Sequence, residues 1–258
     1  MLASRLFPGI RASTRAGGFA LLTVVQLGVV EAHQRVVAPS RRDEVFQWHM
    51  RAWVRTLLRM FGVRPIVHPP TAPVRTARAR LVVANHRSPI DIAVLLGVFG
   101  GQVLSRADLA RWPILGVAAR KAGTIFVDRD ASGSGARAIR TIQRRLKEGA
   151  TVIVFPEGTT FRGDEVRPFR QGAFIGLQHI DVDVVCVGLA YDSGTEFVDE
   201  TFLGHLQRIA RRRRTRVAVR IGEPMRPAVR ASELADQLRV EVQRLTDLAR
   251  ADLTRAPR

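Results

Sequence analysis

From about residue 76 onward, short β-rich runs alternate with helical patterns, and no other feature narrows the possible folds as much. The runs and helical stretches are Arg80–Ala84, Pro89–Phe99, Gly123–Val127, Ala136–Glu148, Thr151–Phe155, Gly172–Gln178, Val182–Ala190, Arg216–Ile221 and Ser232–Ala251. Strands separated by helices pair through crossovers, which predicts an α/β domain with a largely parallel or mixed sheet flanked by helices. The last helix carries Leu234, Leu238, Val242, Leu245 and Leu248 at helical spacing, a stripe expected to cover the sheet. In such folds chemistry gathers beyond the carboxyl ends of strands, so the loops leaving Ala84 and Phe155 are the first places to look. At 258 residues the chain has room for one domain and an appendage.

The appendage is residues 1–75, and the compact domain is read as 76–258. Arg5, Arg11 and Arg15 precede an apolar stretch, Ala16–Val30, that contains no charged residue. As a helix it spans roughly 22 Å, short of a hydrocarbon core of about 30 Å. It reads as an uncleaved membrane anchor or interfacial helix. A secretory leader competes with that reading, although Val30-Glu31-Ala32 is a poor cleavage site, and so does an ordinary core helix. A second helix, Asp43–Phe61, interleaves Phe46, Trp48, Trp53 and Leu57 with Arg51, Arg55 and Arg59, a pattern suited either to a lipid interface or to packing on the domain. Pro65, Pro69, Pro70 and Pro73 then mark a linker.

The net charge of +18, taken alone, suggests an anionic partner, whether nucleic acid, anionic lipid or a phosphorylated small molecule, with the codon bias of a GC-rich genome as the competing explanation of the Arg excess. Only Lys121 and Lys147 among the 41 cationic residues are lysines; the rest are Arg, which grips phosphate with two parallel donors. Arg211–Arg214 is the densest basic run, yet no helix-turn-helix, zinc spacing or aromatic strand pattern accompanies it, so nucleic acid is not expected. One cysteine, Cys186, lies in an apolar run and reads as a buried structural thiol. His33, His49, His68, His179 and His205 lack spaced acidic or cysteine partners, and no metal site is expected.

The apolar strand Leu81-Val82-Val83-Ala84 ends in Asn85-His86-Arg87-Ser88-Pro89-Ile90-Asp91. Ser88 as cap and Pro89 as first helical residue open a helix that puts Asp91 in its first turn, within reach of the His86 ring. A carboxylate on the far nitrogen of a histidine makes a general base, because it fixes the tautomer and stabilises the imidazolium. A second buried-type strand, Thr151–Phe155, runs into Pro156-Glu157-Gly158-Thr159-Thr160, and between the two comes Gly123-Thr124-Ile125-Phe126-Val127-Asp128-Arg129.

These three ordered blocks resemble the 1-acyl-sn-glycerol-3-phosphate acyltransferase family, over roughly residues 76 to 225. The likeness extends through Arg167-Pro168-Phe169-Arg170-Gln171-Gly172-Ala173 and the late strand that ends in Gly222-Glu223-Pro224. It implies a glycerolipid acyltransferase fold and a catalytic pair in which His86 deprotonates the free hydroxyl of a lysophospholipid while Asp91 orients it. It assigns Arg129 to the acceptor's phosphate, and Glu157, Gly158 and Thr159 to acceptor binding and site geometry. Arg106 stands where relatives often have a phosphate-contacting lysine, and Arg167 and Arg170 are similar candidates. The acyl donor is acyl-CoA or acyl carrier protein, and no cofactor is needed. The implied location is the cytoplasmic face of the cell membrane, peripheral or anchored through the N-terminal segment, with membrane lipids and the lysolipid as partners.

The sequence departs from the family at three places. Thr160 stands where relatives acting on lysophosphatidic acid commonly carry Arg, with Arg162 two residues on. The family's fourth block usually ends in Pro, but Gly188 follows Val185-Cys186-Val187 here. Gly100-Gly101 and Ser132-Gly133-Ser134-Gly135 read as flexible insertions. The first departure keeps a lyso-ornithine lipid, or another lysophospholipid, as an alternative acceptor. A non-catalytic basic membrane-surface or nucleic-acid binder is the alternative from another class.

Overall fold

The structure is a computed structural model that describes residues 2–70, 79–111, 115–128, 131 and 133–255. Its order is α1 (Leu2–Val36), α2 (Arg42–Met60), β1 (Val63–His68), β2 (Ala79–Ala84), α3 (Ile90–Phe99), β3 (Gln102–Arg106), α4 (Leu115–Lys121), β4 (Ile125–Val127), α5 (Ser134–Lys147), β5 (Thr151–Val154), β6 (Val182–Tyr191), α6 (Phe202–Arg211), β7 (Thr215–Ile221) and α7 (Ala231–Arg255). The seven strands form one sheet in the order β1-β7-β6-β2-β5-β3-β4. Neighbours run parallel except β6 and β7, which are antiparallel.

Period-2 alternation divides the core into two layers. Leu81, Val83, Val152, Val154, Val184 and Cys186 face α5 and α7. Val82, Ala84, Ile153, Val185 and Val187 face α2 and α3. Both faces of β2 are therefore buried, which is why it reads as an unbroken apolar run. Each fully buried Val or Leu contributes roughly 1.5–3 kcal/mol to this sandwich.

Several expectations change. Residues 63–68, read as part of a proline-rich linker, form strand β1, paired in parallel with β7. Pro65 is tolerated because β1 is an edge strand, where a missing N–H need not break a ladder. The first helix is 35 residues rather than the 15 of Ala16–Val30, about 52 Å long. Its segment Pro8–Val36 is long and apolar enough to cross a membrane. Helix α2 packs on the domain: Met50, Val54 and Leu58 are buried against the sheet, although Trp48 stays exposed.

The Gly100-Gly101 pair is a tight turn, not a flexible insertion. Gly100 ends α3 at φ +70°, and a Cβ on Gly101 would lie 2.3 Å from the Thr151 carbonyl oxygen. Ser134, the first residue of α5, accepts a hydrogen bond on its hydroxyl from the Asp128 amide at 2.9 Å; Ser132 lies outside the described residues. Gly172–Gln178 is two 3-10 turns, Gln171–Phe174 and Leu177–His179, broken by Gly176 at φ +74°. On α7, Leu248 turns outward, and Ala249 and Leu253 continue the buried stripe.

The basic run Arg211–Arg214 closes α6, and its backbone is occupied. Arg11 donates to the carbonyl of Arg211 at 3.0 Å, and Arg15 to those of Ala210 at 3.0 Å and Arg212 at 2.7 Å. Two arginines that flank the apolar stretch thus neutralise the negative end of α6.

Candidate active site

The loops after β2 and β5 lie side by side because their strands are parallel neighbours. Asn85 anchors the first loop from beneath: its side-chain amide donates to the Leu189 carbonyl at 2.9 Å and its oxygen accepts from the Leu189 amide at 2.8 Å. His86 then projects beyond the carboxyl end of β2. Its ring stacks on Phe155 with centroids 4.2 Å apart, and its Nδ1 lies 2.8 Å from Asp91 Oδ2.

Asp91 is completely buried in the first turn of α3. Its Oδ2 also accepts from the amides of Arg87 at 2.6 Å and Ser88 at 2.9 Å, while Oδ1 accepts from the Tyr191 hydroxyl at 2.5 Å. A carboxylate that accepts from two backbone amides and a hydroxyl is an acceptor toward the ring as well. Nδ1 of His86 must therefore carry the proton it donates to Asp91, which leaves Nε2 with a free lone pair. Among the described residues Nε2 has no hydrogen-bond partner, and the His86 side chain is 17% exposed. The pair can accept a proton from a group arriving at the carboxyl end of the central strands.

Glu157 is the clamp between the loops. Its Oε1 accepts from the His86 amide at 2.7 Å and from Arg87 Nη1 at 2.9 Å, and its Oε2 from the Arg167 amide at 2.9 Å. Arg87, whose side chain is only 2% exposed, spreads its remaining donors over the carbonyls of His86, Gly163 and Glu165. Removing one member of such a buried pair typically costs about 3–5 kcal/mol, because the other is left uncompensated. Glu157 is thereby committed to holding the loop rather than reaching outward.

Gly158, next in line, has φ +82°, and a Cβ there would sit 2.7 Å from Arg170 Nε. Arg170 thus lies against the 157–158 turn, its amide bonded to the Pro156 carbonyl at 2.9 Å. Thr159 is exposed on the same loop, and Thr160 donates its hydroxyl to the Phe197 carbonyl. Arg106 ends β3, opposite Val127 of β4, and is exposed at the same end of the sheet. Arg129 lies outside the described residues.

Sequence spacing did not reveal Arg87, Tyr191 or His205 as parts of this site. His205, on α6, is buried between Ser88 Oγ at 3.0 Å from Nε2 and Glu200 Oε1 at 2.8 Å from Nδ1. The order Ser–His–Glu mimics a nucleophilic triad, but Ser88 is fully buried and its Oγ also accepts from the Ile90 amide at 3.3 Å. The cap of α3 is Pro89 rather than the expected Ser88, which sits one residue earlier and takes the Ile90 amide as a structural contact. Burial holds the His205 ring below the usual histidine range despite Glu200, so it stays neutral. Cys186 is likewise buried, and desolvation pushes its thiol far up, so it is inert.

Beside the His86 loop, the amide of Phe197 bonds the Arg87 carbonyl at 2.8 Å. A cleft of about 370 Å³ opens on that side, lined by Arg162, Gly194, Glu196, Val198, Glu200 and Arg208. Among the described residues no cluster of His, Cys, Asp and Glu is arranged to hold a metal ion.

Residues 67–190 match the acyltransferase family. The chain is 35% identical over 156 residues to the lyso-ornithine lipid O-acyltransferase of Pseudomonas aeruginosa, covering 56% of this chain and 58% of that protein. It is 31% identical over 111 residues to the 1-acyl-sn-glycerol-3-phosphate acyltransferase of Neisseria gonorrhoeae, covering 43% of this chain and 44% of that one. The matches thus span about half the length of these curated relatives. The crystal structure of the 1-acyl-sn-glycerophosphate acyltransferase PlsC from Thermotoga maritima shares the fold, with a TM-score of 0.67 at 22% identity over 95% of this chain and 99% of that one.

Proposed function

We propose, from the match of residues 67–190 to the acyltransferase family, that the protein transfers an acyl group from acyl-CoA or acyl carrier protein to the free hydroxyl of a lysophospholipid. The observation that carries this reading is the His86–Asp91 pair at the carboxyl end of β2, with Nε2 open and Nδ1 fixed. Nε2 takes the hydroxyl proton as the oxygen attacks the thioester carbonyl. The tetrahedral intermediate then collapses to the ester, and the imidazolium returns the proton to the leaving thiolate. Asp91 does not receive the proton; it stabilises the imidazolium while it exists. Glu157 and Arg87 keep the loop in register, and Gly158 admits Arg170 against the turn.

The acceptor expected first is 1-acyl-sn-glycerol-3-phosphate, giving phosphatidic acid, with Arg129, Arg106, Arg170 and Thr159 around its phosphate. A second reading, a lyso-ornithine lipid, has specific support. Thr160 is occupied by the Phe197 carbonyl, and the adjoining cleft offers both Arg162 and Glu196, the two signs that an amino-acid headgroup would need. Release of free thiol from acyl-CoA or acyl carrier protein, measured with each acceptor in turn, tests the proposal. Release that depends on one lysolipid is expected; no acceptor-dependent release with any of them would overturn it.

The acceptor resides in a membrane, and α1 suits that surface. Leu21, Val24, Val25 and Val29 are all exposed along one side, within a stretch free of charge from Ala16 to Val30. We place this face in the cytoplasmic leaflet of the cell membrane, with the His86 loop at headgroup level. Leu21→Glu combined with Val25→Glu is expected to lower sedimentation with anionic liposomes at least about tenfold, since each apolar side chain contributes on the order of 1.5 kcal/mol or more when buried. Undiminished sedimentation of a folded variant would remove α1 from the docking surface.

A further inference from the structure

The mechanism uses one oxygen of Asp91; the other has a partner that the catalytic motif does not include. Among the described residues, the Tyr191 hydroxyl is the sole hydrogen-bond partner of Asp91 Oδ1, whereas Oδ2 carries the His86 ring and two backbone amides. Tyr191 is the last residue of β6, 100 positions away in sequence. It is held from outside the site: its backbone pairs with Val217 of β7, and its carbonyl accepts from Arg250 at 2.7 Å, itself paired with Asp164. The hydroxyl is therefore delivered to Asp91 by the sheet and by α7, not by the loop it supports.

We propose that Tyr191 is a positioning residue for acyl transfer: its hydroxyl fixes the Asp91 carboxylate and sets how much negative charge that carboxylate presents to His86. The inference rests on the acyl-transfer reading for its rate, but not for its electrostatics. A donor on Oδ1 draws charge away from Oδ2, so the Asp91–His86 bond holds the imidazolium less tightly than it would without Tyr191. Without the donor, Oδ1 would be a buried carboxylate oxygen with no partner, free to rotate off the ring. The other charged or titratable groups packed around the pair are Glu157 on the His86 amide, Arg87 between the loops, and His205 behind Ser88. Burial and the neighbouring carboxylate keep the Tyr191 phenol well above its ordinary range, so it remains a donor throughout the working pH span.

Tyr191 is the only tyrosine in the chain. Growth on 3-fluorotyrosine therefore alters this hydroxyl alone, making it a stronger donor, while Tyr191→Phe removes it with the ring kept. The acid limb of kcat/KM reports the protonation of His86. In Tyr191→Phe it is expected to move up by about one pH unit, with kcat falling about tenfold and KM for both substrates changing less than about twofold, the scale of a lost hydrogen bond to a charged group. In the fluorotyrosine protein the limb is expected to move down. The His86 ring, titrated by NMR against His86→Ala as reference, should follow the same opposite shifts even if no acceptor is turned over, which separates failure of this inference from failure of the acyl-transfer reading. An unmoved titration in both proteins, or movement in the same direction, would overturn the proposal and leave Tyr191 a packing residue. If Tyr191→Phe does not fold, the sign of the fluorotyrosine shift decides alone.

Discussion

His86→Ala is expected to lower acceptor-dependent thiol release by at least about 10³-fold, within the range of a general base whose loss removes proton transfer from the rate-limiting step. The loss should fall on kcat, with the KM of the acyl donor nearly unchanged, because His86 exchanges its proton only with the reacting hydroxyl and thiolate and anchors no other part of the donor. The fold should survive. The side chain lies beyond the carboxyl end of β2 and makes one ring stack, on Phe155, while the loop is held by backbone bonds to Glu157 and by Asp91. Asp91→Asn is a less clean experiment. Asp91 Oδ2 carries the amides of Arg87 and Ser88 as well as the His86 ring, so an amide there would disturb loop geometry and tautomer together. Activity of His86→Ala within tenfold of the parent, measured on folded protein, would sink the general-base role and return the His86–Asp91 pair to a structural one.

The parts of this site that could be read from sequence are those whose signals are local. Leu81–Ala84 and Thr151–Phe155 are apolar runs bounded by turn residues, and they are parallel neighbours in the centre of the sheet. The five-residue spacing of His86 and Asp91 is set by one loop and one helical turn, so it implied the 2.8 Å contact that the structure contains. Tyr191 and His205 reach the same loop from 100 and 117 residues away, and nothing in their own neighbourhoods marks them. Arg87 is harder still: in a chain this rich in Arg it reads as one more surface cation, yet it is buried against Glu157. The missed elements have similar causes. Strand β3 contains Gln102, Ser105 and Arg106 and lacks a clear alternation, and β1 contains Pro65, which is acceptable only at the sheet edge it occupies. The arginines before the apolar stretch have a second use that their own neighbourhood does not show: Arg11 and Arg15 are engaged by the carbonyls that end α6.

Gly188→Ala is expected to destabilise the protein by at least about 4 kcal/mol, enough to unfold most single domains or to send the chain to inclusion bodies. Gly188 is the residue that breaks the family pattern in the fourth block, and the packing of α7 supplies its reason. A Cβ at 188 would stand 2.2 Å from both the Leu245 carbonyl carbon and the Thr246 nitrogen, backbone atoms that cannot rotate away. The position is otherwise ordinary strand, paired with Arg220 of β7, so strain in φ plays no part. To admit one methyl, α7 must lift from β6 along the stripe that buries Leu238, Val242 and Leu245, and Thr246 would move with it. The same shift would reach the site, because α7 carries Arg250, which holds the Tyr191 carbonyl. A soluble Gly188→Ala protein melting within a few degrees of the parent would show that α7 can move without loss, and that the close approach is not what demands glycine.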